Sequence, residues 1–565
     1  MTLALLIIML GCSIPLLAQK SSSEELKRIE NIDKHDLVDY LIYRKMSPEN
    51  LSRESFSQLL EDYISTKLVK KIMNEKDTLL YNKVYDQAEG FKDSLISMAM
   101  DYDRVTESDI IAAYKSMNTM RKVSHIQINL PDFPYPGDTL LAYEKINSLY
   151  KKLVQGEDFQ SIALQYSENP LTSADSGYIG YVTLGTLTYP MELESYSTPV
   201  DEFSRPVMTF QGYHIMMVHE EIPSPGKIGV SHIIKYIHSE ATSAEVARIT
   251  SELDSIRQII LSGRDFDDVA KSFSDDKKTR NSGGFLGYFT PDARNPELSQ
   301  ALMAMEEDGD ISPVLHIGES VSILKRTDIQ PIPALDQIRD SIRDVLGRNR
   351  ARTEFLKKLF YDRVKKKINF IADPEAVQDF IYLGKNNFEH GYWHMPEKNR
   401  VLFSLDSVDY TFWDLSHIMQ EKRYAHRVRN YRPVVWKSYS SYEEMIIDNY
   451  IRNNPEEVFP ELMRISRLHK GELLKNAYIK ANVLPELTYK TQTLKRFYRS
   501  NKHRYTLRDN PNQFLSFENA FTGVLRDYQY EAEKEWQKQF LKDKGIKIPK
   551  TAAKKLLRSL QNEIH

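Results

Sequence analysis

Lys122-Val123-Ser124-His125-Ile126-Gln127-Ile128 is a short alternating segment that returns later in the chain as Ile228-Gly229-Val230-Ser231-His232-Ile233-Ile234. Sliding the sequence over itself so that His125 meets His232 also carries Ile126 onto Ile233, Gly156 onto Gly263, Asp158 onto Asp265 and Phe159 onto Phe266. The same offset then matches Ala163 with Ala270, Ser167 with Ser274, Gly177 with Gly284, Gly180 with Gly287 and Pro206-Val207 with Pro313-Val314, without a gap. Self-similarity at a fixed offset is the mark of a duplicated structural unit. Two copies of one domain are therefore expected, over 121–222 and 226–330.

Each copy has one grammar. An alternating strand comes first. A helix follows, with Ile146, Leu149 and Leu153 in copy one and Val246, Ile249, Leu253, Ile256 and Ile260 in copy two recurring three and four residues apart, an amphipathic stripe. Gly156 and Gly263 stand where these helices should stop. A shorter helix then carries Phe159, Ile162 and Ala163, or Phe266, Val269 and Ala270, and a Gly-rich turn leads to a closing apolar strand such as His214-Ile215-Met216-Met217-Val218. Strands and helices in about a hundred residues make a small α+β domain.

The order His-Ile, Gly-x-Asp-Phe, Ser-x-Asx, Gly-x-x-Gly-Tyr, Pro-Val and Gly-Tyr-His-Ile resembles the parvulin family of peptidyl-prolyl cis-trans isomerases. With a helical region before the repeats and a long tail after them, the arrangement is similar to exported foldase-chaperones of the SurA and PrsA type. The resemblance implies that His125 and His214 of copy one are the paired imidazoles at the floor of the site. It places Asn169 where the family has Asp or Cys, Leu187 and Met191 on the Met and Phe that contact the proline ring, and Tyr196 on a further aromatic. An Asn at 169 removes a charge that could orient the imidazoles. Copy two keeps His232 and Asp276, but aligning Gly318 with Gly212 puts Ser320 in place of the second imidazole. Arg294 replaces the ring-contacting Met and Leu298 the Phe, so copy two is expected to be a degenerate site, a binding or spacing module.

Around the repeats, 565 residues are too many for one core and predict several domains. The fold class expected is multi-domain α+β, two tandem parvulin-like domains flanked by mainly α-helical chaperone regions. Glu24–Arg121 holds one Gly and one Pro, and Leu59, Leu60, Tyr63, Ile64, Leu68, Val69 and Ile72 recur at helical spacing, which predicts a helical domain over 19–120. Thr106 with Asp109 predicts a capped helix start just before copy one. Beyond Pro331 and Pro333, apolar residues from Leu335 to Val364 predict one long amphipathic helix over 331–370. By the resemblance it packs back on the amino-terminal region. Residues 371–565 read as mainly helical, with short strands at 401–405 and 410–412. From Ala481 to His565 there are 17 Lys plus Arg against 9 Asp plus Glu, interspersed, which reads as a solvated helical surface rather than a docking face for an acidic partner.

The apolar run Leu3 to Leu17 followed by Gln19-Lys20-Ser21 has the shape of a secretory signal, 1–18, cleaved after Ala18. This predicts a periplasmic location. Acylation of Cys12 as a lipobox is the less favoured reading, since apolar Ile14 to Leu17 would follow the anchor. Cys12 is the only cysteine, so a mature chain cleaved after Ala18 has no thiol chemistry. No metal is expected: His390 and His394 have helical ligand spacing, but Gly391 lies between them and no third ligand accompanies them. No cofactor is expected, nor a nucleotide, there being no phosphate-cradling Gly-rich loop with its Lys; no nucleic-acid partner is expected either. The partners expected are unfolded exported or outer-membrane proteins. Three readings remain open: an isomerase-chaperone active mainly through copy one, a non-catalytic holdase, and a fixed subunit of a secretion or outer-membrane assembly machine that docks through degenerate parvulin copies.

Overall fold

In the computed structural model of the chain, residues 34–76, 78–390, 393–421, 430–507 and 510–562 are described; residues 1–18, expected to be a signal segment, with Cys12, and Gly391, lie outside them. The repeat builds two like sheets. In copy one, β1 (Thr119–Asn129), β2 (Tyr178–Val182), β3 (Val207–Met208) and β4 (Gly212–Pro223) form an antiparallel sheet of order β2-β1-β4-β3. In copy two, β5 (Lys227–Tyr236), β6 (Phe285–Phe289), β7 (Leu315–Ile317) and β8 (Ser320–Gln330) repeat it as β6-β5-β8-β7. His125 and His232 occupy like places in like folds.

Helices cover one side of each sheet. In copy one, Pro136–Val154 and Phe159–Tyr166 bury Ile146, Leu149, Leu153, Phe159 and Ile162 against Ile126 and Ile215. In copy two, Ser243–Leu261 and Phe266–Phe273 bury Leu253, Ile256, Phe266 and Val269 against Ile233 and Ile323. Full burial of each such side chain is worth about 1.5–3 kcal/mol, so the alternating strand and the helical stripe together make each copy a core of its own. The recurring Gly177 and Gly284 have a steric cause. Each has positive φ, and a Cβ there would lie 2.0 Å from the His125 carbonyl oxygen or 2.2 Å from that of His232. That close approach lets the Gly177 and Gly284 carbonyls accept the amides of His125 and His232, at 2.8 and 2.9 Å.

The ungapped register ends sooner than the sequence suggests. The amide of Ser204 bonds Met216 O, and that of Ser312 bonds Leu324 O in the same place. Likewise Phe203 bridges Met217 where Ile311 bridges Lys325. Copy two has gained one residue before this point, so Pro313 takes the place of Arg205, not of Pro206.

Before copy one, the Glu107–Asn118 helix starts at the expected capping box, with Asp109 N–H donating to Thr106 Oγ1 at 3.2 Å and Thr106 N–H to Asp109 Oδ2 at 2.7 Å. Beyond copy two, the expected single long helix is two, Leu335–Arg348 and Arg350–Lys367. Asn349 leaves helical geometry and accepts the Arg352 amide at 3.0 Å, capping the second helix. Ile342 and Leu346 of the first pack on Ile110 and Ala113. The buried Arg352 of the second donates to Asp103 O at 2.6 Å and Arg104 O at 3.1 Å. A third sheet, of Phe370–Ala372, Val401–Leu405 and Val408–Thr411, backs a cluster of Phe380, Trp393, Phe403, Phe412 and Tyr439.

A separate compact unit joins residues up to Asp101 with those from Ile447 onward. Leu37, Tyr40, Phe56, Leu60 and Tyr63 pack there with Leu541, Leu556, Leu557 and Leu560, while Val69, Met73 and Val84 meet Leu474. Among the described residues, early helices and late ones thus share two apolar clusters. Within this unit lies a polar network: Tyr40 Oη lies 2.6 Å from Asp62 and 2.7 Å from Glu472, its one proton serving one carboxylate at a time, and Lys475 Nζ donates to Asp62 at 2.6 Å and Glu472 at 3.0 Å.

Candidate active site

The cross-strand register of β1 and β4 sets Gln127 opposite His214 and His125 opposite Met216. From these places the two imidazoles meet, Nδ1 to Nδ1 at 3.2 Å, with rings within 11° of parallel. Each outer nitrogen has a hydroxyl partner: His125 Nε2 lies 2.8 Å from Thr172 Oγ1 and His214 Nε2 lies 2.9 Å from Thr209 Oγ1. The floor is therefore a line of four groups, Thr172, His125, His214 and Thr209. A neutral imidazole offers one donor and one acceptor, so a line of neutral rings between two hydroxyls satisfies every ring nitrogen.

Burial favours that neutral state. It lowers His125 to about 4, and it lowers His214 to about 3 with a smaller push from the His125 ring. Near pH 7 neither carries charge. Unfolded, both titrate near 6.5, so between pH 6.5 and about 4 the unfolded chain takes up protons that the folded chain refuses, and stability falls as the solution is acidified through that window. Glu192 works in the opposite sense. Burial raises its carboxyl to about 7, against one favourable bond, Gly185 N–H to Oε2 at 2.7 Å. The unfolded group ionises near 4.5, so the stability present below that pH is lost as pH rises through 7. Glu192→Gln keeps the acceptor and removes the ionisation. Urea midpoints at pH 5, 6.5 and 8 are expected to show the wild type losing stability toward pH 8 and the variant not losing it.

Beside this floor Val123, Val182, Met191, Met216 and Val218 form a buried cluster on which Ile179 and Leu187 pack. Leu187 and Met191 thus pack in one apolar cluster. Two expectations need correction. Tyr196 is a strut: its hydroxyl lies 2.9 Å from Thr119 O and 3.0 Å from Ser116 O, and its ring sits under Arg121, 5.4 Å from the guanidinium carbon. Asn169 does not reach His125. Its Nδ2 donates to Gln127 Oε1 at 2.7 Å, and its Oδ1 accepts the amides of Leu171 at 2.9 Å and Thr172 at 3.2 Å, so it shapes the turn that presents Thr172.

Copy two departs from this plan. His232 Nε2 lies 3.1 Å from both Asp276 Oδ2 and Thr279 Oγ1, and Thr279 donates to Asp276 at 2.6 Å. The Thr279 bond first, then the Lys278 amide at 2.9 Å and His232, hold the Asp276 carboxyl down to about 2 against its burial. The second imidazole is absent, but Ser320 is not what replaces it. Ser320 pairs with Tyr236, and its hydroxyl donates to Ile317 O at 2.8 Å. Opposite Ile234, where His214 stands opposite Gln127, lies the buried Ser322. Arg294 turns outward to the buried Asp292 carboxylate, Nε to Oδ1 at 2.9 Å, and Leu298 is buried with Ile228, Val230 and Leu324.

Sequence reasoning missed both threonines. Thr172 was recoverable, since it recurs as Thr279 at the same offset as the histidines. Thr209 left no such trace: Ile317 takes its place in copy two, beside the missing imidazole.

Residues 125–220 and 232–328 each match the family described as Rotamase: PPIC-type PPIASE domain. A curated protein named Chaperone SurA from Saccharophagus degradans is 31% identical over 220 residues, covering 37% of this chain and 50% of its own length. Another Chaperone SurA, from Xylella fastidiosa, is 24% identical over 311 residues, covering 53% and 62%. The chain thus spans between half and two thirds of the length of these relatives. The crystal structure of the peptidylprolyl isomerase PrsA from Bacillus anthracis aligns with 59% of this chain and 95% of its own at 17% identity, with a TM-score of 0.18. By the doubled match, and by the repeated sheet order that goes with it, residues 125–220 and 232–328 are two tandem stretches similar to the PPIC-type peptidyl-prolyl isomerase domain.

Proposed function

We propose that the protein is a peptidyl-prolyl cis-trans isomerase and chaperone that holds unfolded exported proteins, with catalysis in copy one. The supporting observation is the line Thr172–His125–His214–Thr209 set beside the apolar wall of Leu187 and Met191. Rotation about an Xaa-Pro bond is slow because twisting costs amide resonance, a barrier of about 18–20 kcal/mol. No bond is broken, so no nucleophile is needed. A site helps by fitting the twisted amide better than the planar one and by keeping water from its carbonyl. Neutral, mutually satisfied imidazoles make a polar floor that bears no charge and brings no counter-ion or water of its own. The wall grips the ring.

A second reading, a holdase without catalysis, is favoured by copy two, where Ser322 and Arg294 replace an imidazole and a wall residue. The apolar run at Leu3 to Leu17 supports a periplasmic site of action, and among the described residues no helix is long and apolar enough to cross a membrane. Unfolded outer-membrane proteins are the clients proposed, held by the helical frame. A fixed place in an assembly machine would appear as a stoichiometric complex on purification.

The full chain is expected to accelerate isomerisation of an Xaa-Pro peptide in a protease-coupled assay, at a rate flat from pH 5.5 to 8 because neither imidazole titrates there. No rate above background, with aggregation of an unfolded barrel protein still suppressed, would leave the holdase reading in its place.

A further inference from the structure

The wall of copy one is already covered by a piece of copy two. Ala293 packs on the cluster of Val123, Val182, Met191, Met216 and Val218, together with Leu187 and Ile179. Its amide donates to Tyr181 O in β2 at 2.7 Å, an interstrand type of bond made on the edge of the copy-one sheet. A Cβ added at Gly180 would meet the Ala293 Cβ at 3.5 Å, so the backbone of β2 runs against this residue at van der Waals distance.

The segment that presents Ala293 is Thr290-Pro291-Asp292-Ala293-Arg294, a proline-containing turn held in shape from its own side. Pro291 and Asp292 are buried. Asp292 Oδ1 accepts the Arg294 amide at 3.0 Å and its Nε at 2.9 Å, Ser299 Oγ donates to Asp292 O, and Asn295 Oδ1 caps the Pro296–Ala304 helix by accepting Leu298 N–H at 3.2 Å. Arg294, which stands where copy one has Leu187, is thereby recruited to brace the loop. Copy two's departure from the family pattern and its hold on copy one are one feature.

We propose that the Thr290–Arg294 loop is an internal occupant of the copy-one groove, which unfolded clients must displace before they reach Leu187 and Met191. The proposal rests on the reading of that groove as the client site. Occupancy by the loop lowers apparent client affinity by the fraction of molecules in which the groove stands open. Copy two then gates copy one, and release of its loop reports that a client has bound.

Ala293→Asp in the full chain tests this. A polar residue is compatible with the loop itself, since Thr186 stands at the matching place in copy one, but a carboxylate against Met191 and Leu187 is not compatible with the closed groove. Titration with a fluorescent Xaa-Pro peptide is expected to give an affinity about tenfold tighter than wild type, as for a groove open in about a tenth of wild-type molecules. In the wild type, hydrogen exchange at the Ala293 amide is expected to be slow without peptide and at least about tenfold faster under saturating peptide, a readout that needs no variant. Equal affinities in wild type and variant, or an Ala293 amide still protected with peptide bound, would overturn the gating while leaving the client site intact. Failure of both proteins to bind peptide would overturn the client-site reading and the gating together.

Discussion

His214→Ala in the full chain should bring catalysed prolyl isomerisation down by about 100-fold, to near the uncatalysed rate, while the protein remains folded. His214 is completely buried, and its two nitrogens satisfy His125 and Thr209. Removing it leaves His125 Nδ1 without its partner and takes one bond from Thr209, whose hydroxyl keeps the Gln211 amide, at a cost of about 1–3 kcal/mol for each buried group left unmet, and leaves a space into which the wall can relax. In a site that works by fit alone, a displacement of about an ångström costs on the order of a hundredfold in rate. Copy two indicates that the fold survives such a change, because a small residue, Ser322, already stands at this place there. Ser322→Ala is the matched control, expected to leave the rate unaltered. Circular dichroism and the protease-coupled assay on both variants decide the matter. A folded His214→Ala protein with the wild-type rate would remove the imidazole pair from any account of catalysis.

The largest effect on stability is expected far from this site, in the unit shared by early helices and late ones. Lys475 is nearly inaccessible and lies between Asp62 and Glu472, with Tyr40 bonded to both carboxylates and Arg44 within 3.3 Å of Asp62 and 3.6 Å of Glu472. Lys475→Met keeps the volume but leaves two carboxylates facing each other with only the half-exposed Arg44 nearby. Breaking a buried pair from one side costs about 3–5 kcal/mol, because the remaining charge has lost its compensation. Chemical denaturation should show that loss in the transition of the helical unit, with the parvulin copies unaffected. Lys475→Met with Glu472→Gln and Asp62→Asn should recover part of it, since neutral amides need no counter-ion. A single variant as stable as wild type would mean that the network is solvated in solution.

Much of this was legible in the sequence, for identifiable reasons. The duplication could be read because each repeated residue has a local cause: Gly177 and Gly284 must lack a Cβ where the histidine carbonyl approaches, and Asp158 and Asp265 cap matching helices. Where two like residues serve unlike purposes, the reading failed. Gly212 was aligned with Gly318, yet a Cβ at Gly212 would lie 2.1 Å from Ile128 O, whereas nothing stands within 4 Å at Gly318. That false anchor shifted the last strand and put Ser320 where Ser322 belongs. Tyr196 was assigned to the pocket by alignment alone; its hydroxyl finds backbone carbonyls, a preference no spacing reveals. The core joining Tyr40 and Asp62 to Glu472 and Lys475 was not legible, because partners hundreds of residues apart leave no local pattern. The reach of Ala293 into copy one was hidden for the same reason.

In the proposed function, copy one turns prolines and copy two does not. Exchange NMR of an Xaa-Pro peptide with the methyl-labelled full chain tests it most directly. Accelerated cis–trans exchange is expected together with perturbed Leu187 and Met191 methyls, and an unmoved Leu298. Acceleration with shifts at Leu298 and none at Leu187 or Met191 would contradict it.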